Sequence, residues 1–320
     1  MSSLLEVEGL KVTFNPPTGP VQALRGVSLQ VADGEIVGVA GESGCGKSVL
    51  FRALLGLLPD TARVEGSLRF GGATMSMDGS LQAAASLIYQ NPGASLNPVF
   101  TIGQQLSLVR GTDDAAALGE LLEQVGLPDA PRLLSSYPHE LSGGMNQRAV
   151  VALALAQSPR LLIADEPTTA LDVTTQAQVL DLIEELRDRI GLAVVLISHD
   201  LAVIRRVCER IVVLYAGYVA EDGRSDQVLE SPSHPYTQAL LQSIPRPDTA
   251  GRQLVSIPGL VPDGSTPITG CAFAPRCTRA SDACGAAQPA PRPVQAGHTA
   301  ACILVDPRHA ADKDQAESAP

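Results

Sequence analysis

Hydrophobic and polar positions change period several times along this chain, and each change predicts an element. Val27, Leu29 and Val31 alternate with polar neighbours, the period of a half-buried strand. Val12 and Phe14 alternate in the same way, and Gly9 is placed to make a bulge. Residues 4–40 therefore read as strands joined by turns. Ile36 to Ala40 is a short apolar run that stops at Gly41. A glycine-rich loop follows, then a helical pattern from about Lys47 to Leu58, ended before Pro59. Farther on, Leu161–Ala164 and Ala193–Ile197 are short buried strands. Between them Val179, Ile183, Leu186 and Ile190 fall on one helical stripe. Ile211–Tyr215 and Tyr218–Glu221 flank Ala216-Gly217 as a hairpin.

Residues 91–140 carry no strong strand pattern. With a helix over about Met145–Gln157 they read as a helical insertion spanning roughly residues 91–158. Composition shifts near Ile244: eleven of the 24 prolines and four of the six cysteines lie beyond it. The expected organisation is a main α/β domain of residues 1–245, a separate loop-rich appendage of residues 246–308, and a disordered polar tail of residues 309–320. No internal repeat is present.

Charge narrows the partners. The 320-residue chain carries a formal net charge of −11, which argues against non-specific binding to nucleic acid. Lysine occurs only at Lys11, Lys47 and Lys313. No basic stretch followed by an apolar one opens the chain, and no apolar run reaches the ~18–20 residues of a membrane span. The expectation is a soluble protein, or one held at a membrane through partners. The cysteines are then expected as thiols or metal ligands in a reducing compartment.

Lys47 falls where chemistry wants it. Gly41-Glu42-Ser43-Gly44-Cys45-Gly46-Lys47-Ser48 fits the P-loop pattern, between a strand and a helix. Its glycines let backbone N–H groups turn toward phosphates, Lys47 faces the β- and γ-phosphates, and the Ser48 hydroxyl is a Mg²⁺ ligand. Leu161–Ala164 runs into Asp165-Glu166. Asp165 is placed to hold Mg²⁺ and Glu166 to act as general base or to orient water. His199, after the next strand, could bond the γ-phosphate, with a packing role as the other reading. Gln90, after Leu87-Ile88-Tyr89, could reach Mg²⁺ and the attacking water, although a lone glutamine is normally uninformative. Leu141-Ser142-Gly143-Gly144-Met145 precedes a helix, so Ser142, Gly143 and Gly144 form an anion site of N–H groups and a hydroxyl; a plain serine cap is the alternative. Since the P-loop already surrounds one set of phosphates, this second site suits a γ-phosphate presented by another subunit.

Taken together, GESGCGKS (41–48), Gln90, LSGGMNQR (141–148), LLIADEP (161–167), Ala170-Leu171-Asp172 and ISHD (197–200) resemble the ABC-transporter ATPase family. The resemblance implies a P-loop NTPase core with an antiparallel β subdomain and a helical subdomain. It also implies ATP held between two ATPase subunits, P-loop against LSGG, with Phe14 on the adenine and Asp172 at the dimer interface. A narrower likeness to the peptide and nickel importers rests on YQNPGASLNP (89–98), DEPTTALDVTTQAQ (165–178), SHPYT (233–237) and GCAFAPRC (270–277). It implies a related ATPase chain as second subunit, two transmembrane permeases touched by Gln90 and the helical segment, an extracytoplasmic solute-binding protein, and a place on the cytoplasmic face of the inner membrane.

Cys45 replaces the usual serine of the P-loop, and a thiol near a helix N-terminus is expected to have a lowered pKa and to react with alkylating agents. Cys271, Cys277, Cys284 and Cys302 are spaced C-x5-C-x6-C-x17-C. They could hold an iron–sulfur cluster, a Zn²⁺ ion or nothing. The importer resemblance implies a [4Fe-4S] cluster. His298 is a possible further ligand, and Cys208 reads as a buried thiol.

Overall fold

A computed structural model describes residues 3–77, 80–89, 95–169, 172–243 and 256–305. The chain opens with two long strands, β1 (Ser3–Phe14) and β2 (Val21–Ala32), followed by β3 (Ile36–Ala40) and helix α1 (Lys47–Leu54). Strands β4 (Ala62–Phe70) and β5 (Ala73–Met75) complete an antiparallel sheet in the order β2-β1-β4-β5. Gly9, at φ 59°, sits where the register of β1 slips against both neighbours, so the bulge expected there is present.

The second sheet holds the centre of the molecule. Its parallel core consists of β6 (Ala85–Ile88), β7 (Leu161–Asp165), β8 (Ala193–Ile197), β3 and β9 (Arg210–Tyr215). Period-two alternation assigns its side chains to two cores. Val37, Val39, Ile163, Val195 and Leu214 face α1 and the antiparallel sheet. Ile36, Leu162, Val194, Leu196 and Val213 face the other helices. Burial on both faces is why these strands read as unbroken apolar runs.

The predicted helical region contains α2 (Ile102–Arg110), α3 (Ala115–Gln124), α4 (Ala130–Ser135) and α5 (Gly143–Leu155). The remaining helices are α6 (Val173–Ile190), α7 (Leu201–Val207), α8 (Ser225–Glu230) and α9 (Pro235–Gln242). Two sequence expectations need correction. Helix α1 stops at Leu54, well before Pro59, because Gly56 takes a left-handed conformation (φ 62°) and the chain closes a Schellman cap, Gly56 N–H to Ala53 O at 3.1 Å and Leu57 N–H to Arg52 O at 2.8 Å. Ile190 belongs to the predicted stripe of α6 but is half exposed, one residue before the Gly191 cap.

The proline-rich end is not set apart. Strand β12 (His298–Ala300) pairs antiparallel with β10 (Tyr218–Arg224), and β11 (Arg292–Gln295) pairs with β12. The main sheet thus runs β11-β12-β10-β9-β3-β8-β7-β6. Ala272 and Phe273 are buried in the core of the helical face. At this joint His298 Nε2 and Glu221 Oε1 lie 2.7 Å apart, both side chains almost fully buried. His298 is therefore engaged in joining β12 to β10, contrary to its reading as a metal ligand. The expected boundary at residue 246 and the tail of residues 309–320 lie outside the described residues.

Candidate functional site

The P-loop wraps the end of the central strand β3 because two glycines allow it. Gly41 has φ 146°, and a Cβ there would come within 2.3 Å of Leu214 O; Gly46 has φ 107° and caps α1. The β9–β10 turn braces the loop from outside, Gly217 N–H donating to Cys45 O at 3.0 Å. Ser43, Gly44, Gly46, Lys47, Ser48, Asp165, Glu166 and His199 all line one cavity of about 450 Å³. Lys47 is buried there, its Nζ donating to Gly41 O at 2.7 Å and Glu42 O at 3.0 Å.

The carboxylates come from β7, which β8 separates from β3. Burial pushes the Asp165 carboxyl above its ordinary value, and a hydrogen bond from Ser48 opposes that rise. Glu166 stands just past the strand in a left-handed conformation, φ 51°, which costs a non-glycine residue roughly 1–3 kcal/mol. Its N–H is tied to Ile197 O at 2.9 Å, which helps hold the strained turn. His199 Nδ1 lies 2.9 Å from Glu166 Oε1, and Thr169 donates its hydroxyl to Oε2 at 2.9 Å. Burial alone would raise the Glu166 carboxyl, but the bonds from His199 and Thr169, with the charges of His199 and Lys47, hold it below the ordinary carboxylate value.

Other predicted residues stand elsewhere. Cys45 belongs to the loop, but its side chain is fully buried in the core around α1. Burial raises its thiol pKa, with Lys47 only partly opposing, so the expectation of a lowered, reactive thiol is overturned. Phe14 ends β1, half buried, outside the lining of the cavity. Ser142 caps α5, accepting from Met145 N–H at 3.3 Å, and Gly143 and Gly144 form the first turn. Asp172 caps α6, bonded to Thr174 and Thr175 N–H at 3.0 Å each. A Cβ on Gly144 would touch the Thr175 methyl at 3.3 Å, so the LSGG and Asp172 turns are neighbours. Neither lines the P-loop cavity. Gln90, Ala170 and Leu171 lie outside the described residues.

Sequence spacing gives no signal for Thr169, which bonds the Glu166 carboxylate, or for two residues that hold the loop. Glu42 N–H donates to the Tyr236 hydroxyl at 2.8 Å, and Arg276 pairs with the Glu42 carboxylate. Glu42 is a variable position of the P-loop pattern, so spacing alone gave no signal for it.

Cys271, Cys277, Cys284 and Cys302 line a second, closed cavity of about 20 Å³ with an apolar wall. Among the described residues, however, no group of three or more His, Cys, Asp or Glu is arranged to hold a metal ion. His234 also lines this cavity; its Nδ1 accepts from Tyr236 N–H at 3.0 Å to cap α9, and burial lowers its pKa to about 4.

A P-loop after a central parallel strand, faced by Asp-Glu after a strand two places away, defines a P-loop ATPase. Residues 24–169 match the ABC transporter family and residues 220–284 the oligopeptide/dipeptide transporter C-terminal region. The chain is 43% identical to the dipeptide transport ATP-binding protein DppD of Bacillus subtilis, over 96% of each chain. It is 44% identical to the oligopeptide transport ATP-binding protein OppD of Mycobacterium tuberculosis, over 98% of this chain and 54% of that longer one. Among solved structures, the dimeric MJ0796, a bacterial ABC transporter cassette, is similar at TM-score 0.58 and 26% identity, over 69% of this chain and 98% of that one. The chain belongs to the ABC transporter family, as an ATP-hydrolysing subunit of the peptide-transporter branch.

Proposed function

We propose that this subunit couples ATP binding and hydrolysis to the import of peptides across a cytoplasmic membrane, where it sits peripherally on the cytoplasmic face. The observation that carries the reading is the convergence of Lys47, Ser48, Asp165, Glu166 and His199 on one cavity, in a chain whose relatives are named for dipeptide and oligopeptide transport. Lys47 neutralises the β- and γ-phosphates. Ser48 and Asp165 would hold Mg²⁺, which supplies positive charge to the phosphate oxygens. Glu166 takes a proton from water as its oxygen attacks the γ-phosphorus and ADP leaves. His199 fixes the Glu166 carboxylate and senses the γ-phosphate. Ser142, Gly143 and Gly144 cap the γ-phosphate held by a second ATPase subunit, and Asp172 beside them meets that subunit. The dimeric form of the similar cassette supports this division of the site.

Among the described residues no helix is long and apolar enough to cross a membrane. In this proposal two permease subunits and a solute-binding protein complete the machine, as the likeness to peptide transporters suggests. An open groove of about 520 Å³, lined by Leu57, Tyr89, Phe100, Leu108 and Val109, suits a permease segment. Co-purification tests the reading. Integral membrane subunits should accompany the native protein, and its ATPase should rise with binding protein and peptide. Recovery with ribosomes instead would favour a soluble ABC ATPase of another kind.

We also propose that the four-cysteine cavity holds a [4Fe-4S] cluster. Support comes from four thiols around one closed cavity. Iron analysis and visible absorbance of anaerobically purified protein decide it; a colourless, iron-free protein would end the idea.

A further inference from the structure

Arg276 lies inside the cysteine-bearing segment, next to Cys277, yet its guanidinium reaches the P-loop. Nη1 donates to Glu42 Oε2 at 2.7 Å and Nη2 to Glu42 Oε1 at 3.0 Å, a fork-to-fork pair. Nη1 also reaches the Tyr215 hydroxyl at 3.3 Å, Nη2 reaches Ile257 O at 3.3 Å, and Nε reaches Pro258 O at 2.8 Å. Every N–H direction of the guanidinium is thereby used, which no lysine could reproduce. The side chain is only 4% exposed. A buried, fully engaged arginine fixes its partners' geometry.

Glu42 is correspondingly held at every polar group. Arg276 grips its carboxylate, the Tyr236 hydroxyl accepts its N–H, and Lys47 Nζ donates to its carbonyl at 3.0 Å. Phe273, three residues before Arg276, contacts both Tyr215 and Tyr236, with ring centroids 5.2 and 5.4 Å away. Phe273 and Cys277 also line the cysteine cavity. One short segment therefore carries both a wall of that cavity and the grip on the loop that presents Lys47.

We propose that Arg276 is a positioning residue for the P-loop, and that its pair with Glu42 makes the cysteine-bearing segment and the ATP cavity one coupled unit. The proposal rests on the P-loop as the ATP site. Movement of the segment is transmitted to Glu42, and ATP binding in turn tightens the segment, because coupling is reciprocal.

The test uses the full chain with Mg²⁺ and ATP. Arg276→Gln, Arg276→Lys and Glu42→Gln should each weaken ATP binding roughly tenfold. The double variant Glu42→Gln/Arg276→Gln should be no weaker than the worse single, as for residues acting as a unit. Hydrogen exchange adds a readout that a merely structural role would not move. ATP should slow exchange over residues 270–285 in the native chain and fail to do so in Arg276→Lys. Should the Arg276 variants unfold, Glu42→Gln alone carries both measurements, since it leaves the buried arginine in place. Unchanged affinity together with unchanged ATP-dependent protection in the variants would overturn the coupling alone. A native chain that does not bind ATP would overturn the P-loop reading and the coupling with it.

Discussion

The P-loop and the LSGG turn both open helices and are both proposed anion sites, yet they are built in opposite ways. At the P-loop, Lys47 is buried, two carboxylates and a histidine face it, and the loop closes around a cavity. At the LSGG, Ser142 is exposed, its hydroxyl caps its own helix, and a Cβ on Gly143 would meet nothing within 4 Å. No acid or base of the P-loop cavity accompanies it. One site turns its chemistry inward and the other turns its donors outward. That asymmetry suits the proposed site shared between two chains, in which each chain supplies one catalytic face and one simple cap.

The comparison breaks most visibly at the base. Glu166→Gln should bind ATP normally while hydrolysis falls ~10²- to 10⁴-fold, the range for loss of a general base. ATP should then lock two subunits together, a shift visible by size-exclusion chromatography. Normal turnover in that variant would remove Glu166 from its assigned role. Next in size, Ser142→Arg should cut hydrolysis in the assembled transporter ~10²-fold by displacing donors from the transition state. ATP affinity of the isolated chain should not move. Equal loss of affinity in the isolated chain would mean that the LSGG serves its own P-loop after all. Lys47→Ala inverts this pattern. Loss of a charged hydrogen-bond donor should weaken ATP binding by the isolated chain roughly ten- to a hundredfold, measured by calorimetry.

How much of this was legible beforehand depends on distance along the chain. The P-loop is contiguous, and its strand–loop–helix context is local, so Lys47, Ser48 and their neighbours were readable. Asp165 and Glu166 were readable because an apolar strand delivers them. The Arg276–Glu42 pair spans 234 residues, and no periodicity connects its members. The end of α1 was misplaced because two stop signals compete, and Gly56 acts before Pro59. The eighth-strand edge was missed because β11 and β12 are too short, four and three residues, to show an alternation. Composition shifts near Ile244, but composition carries no information on whether the loop-rich part pairs with a sheet.

A smaller effect tests the electrostatics of the P-loop side. Glu166 is held below its ordinary value of 4.5 because hydrogen bonds, His199 foremost, outweigh burial. A base works as the carboxylate, which is present above its pKa and lost as pH falls through it. Hydrolysis should therefore persist through the ordinary carboxylate range in the native protein. In His199→Ala that support is removed, the Glu166 pKa rises, and the acid limb of the rate profile should move to higher pH. An acid limb that stays in place would show that another group controls it.

The smallest expected effect concerns Cys45, a loop residue whose side chain turns away from the cavity. Spacing put Cys45 among phosphate-binding residues, beside a helix N-terminus that lowers thiol pKa values. The side chain instead enters the core around α1, where burial favours the neutral thiol over the thiolate. Lys47 Nζ is 3.8 Å from its sulfur, and that opposing charge does not reverse the shift. A neutral, buried thiol is a poor nucleophile. Iodoacetamide at neutral pH should leave Cys45 unmodified in the folded chain and label it only after denaturation, as read by peptide mass spectrometry. Cys45→Ser puts a hydroxyl into that apolar core, so it should cost about 1–3 kcal/mol of stability while leaving ATP affinity within a few-fold. Rapid labelling of Cys45 in the native protein, blocked by ATP, would instead place the thiol at the phosphates and return this position to the inward-facing chemistry of the loop.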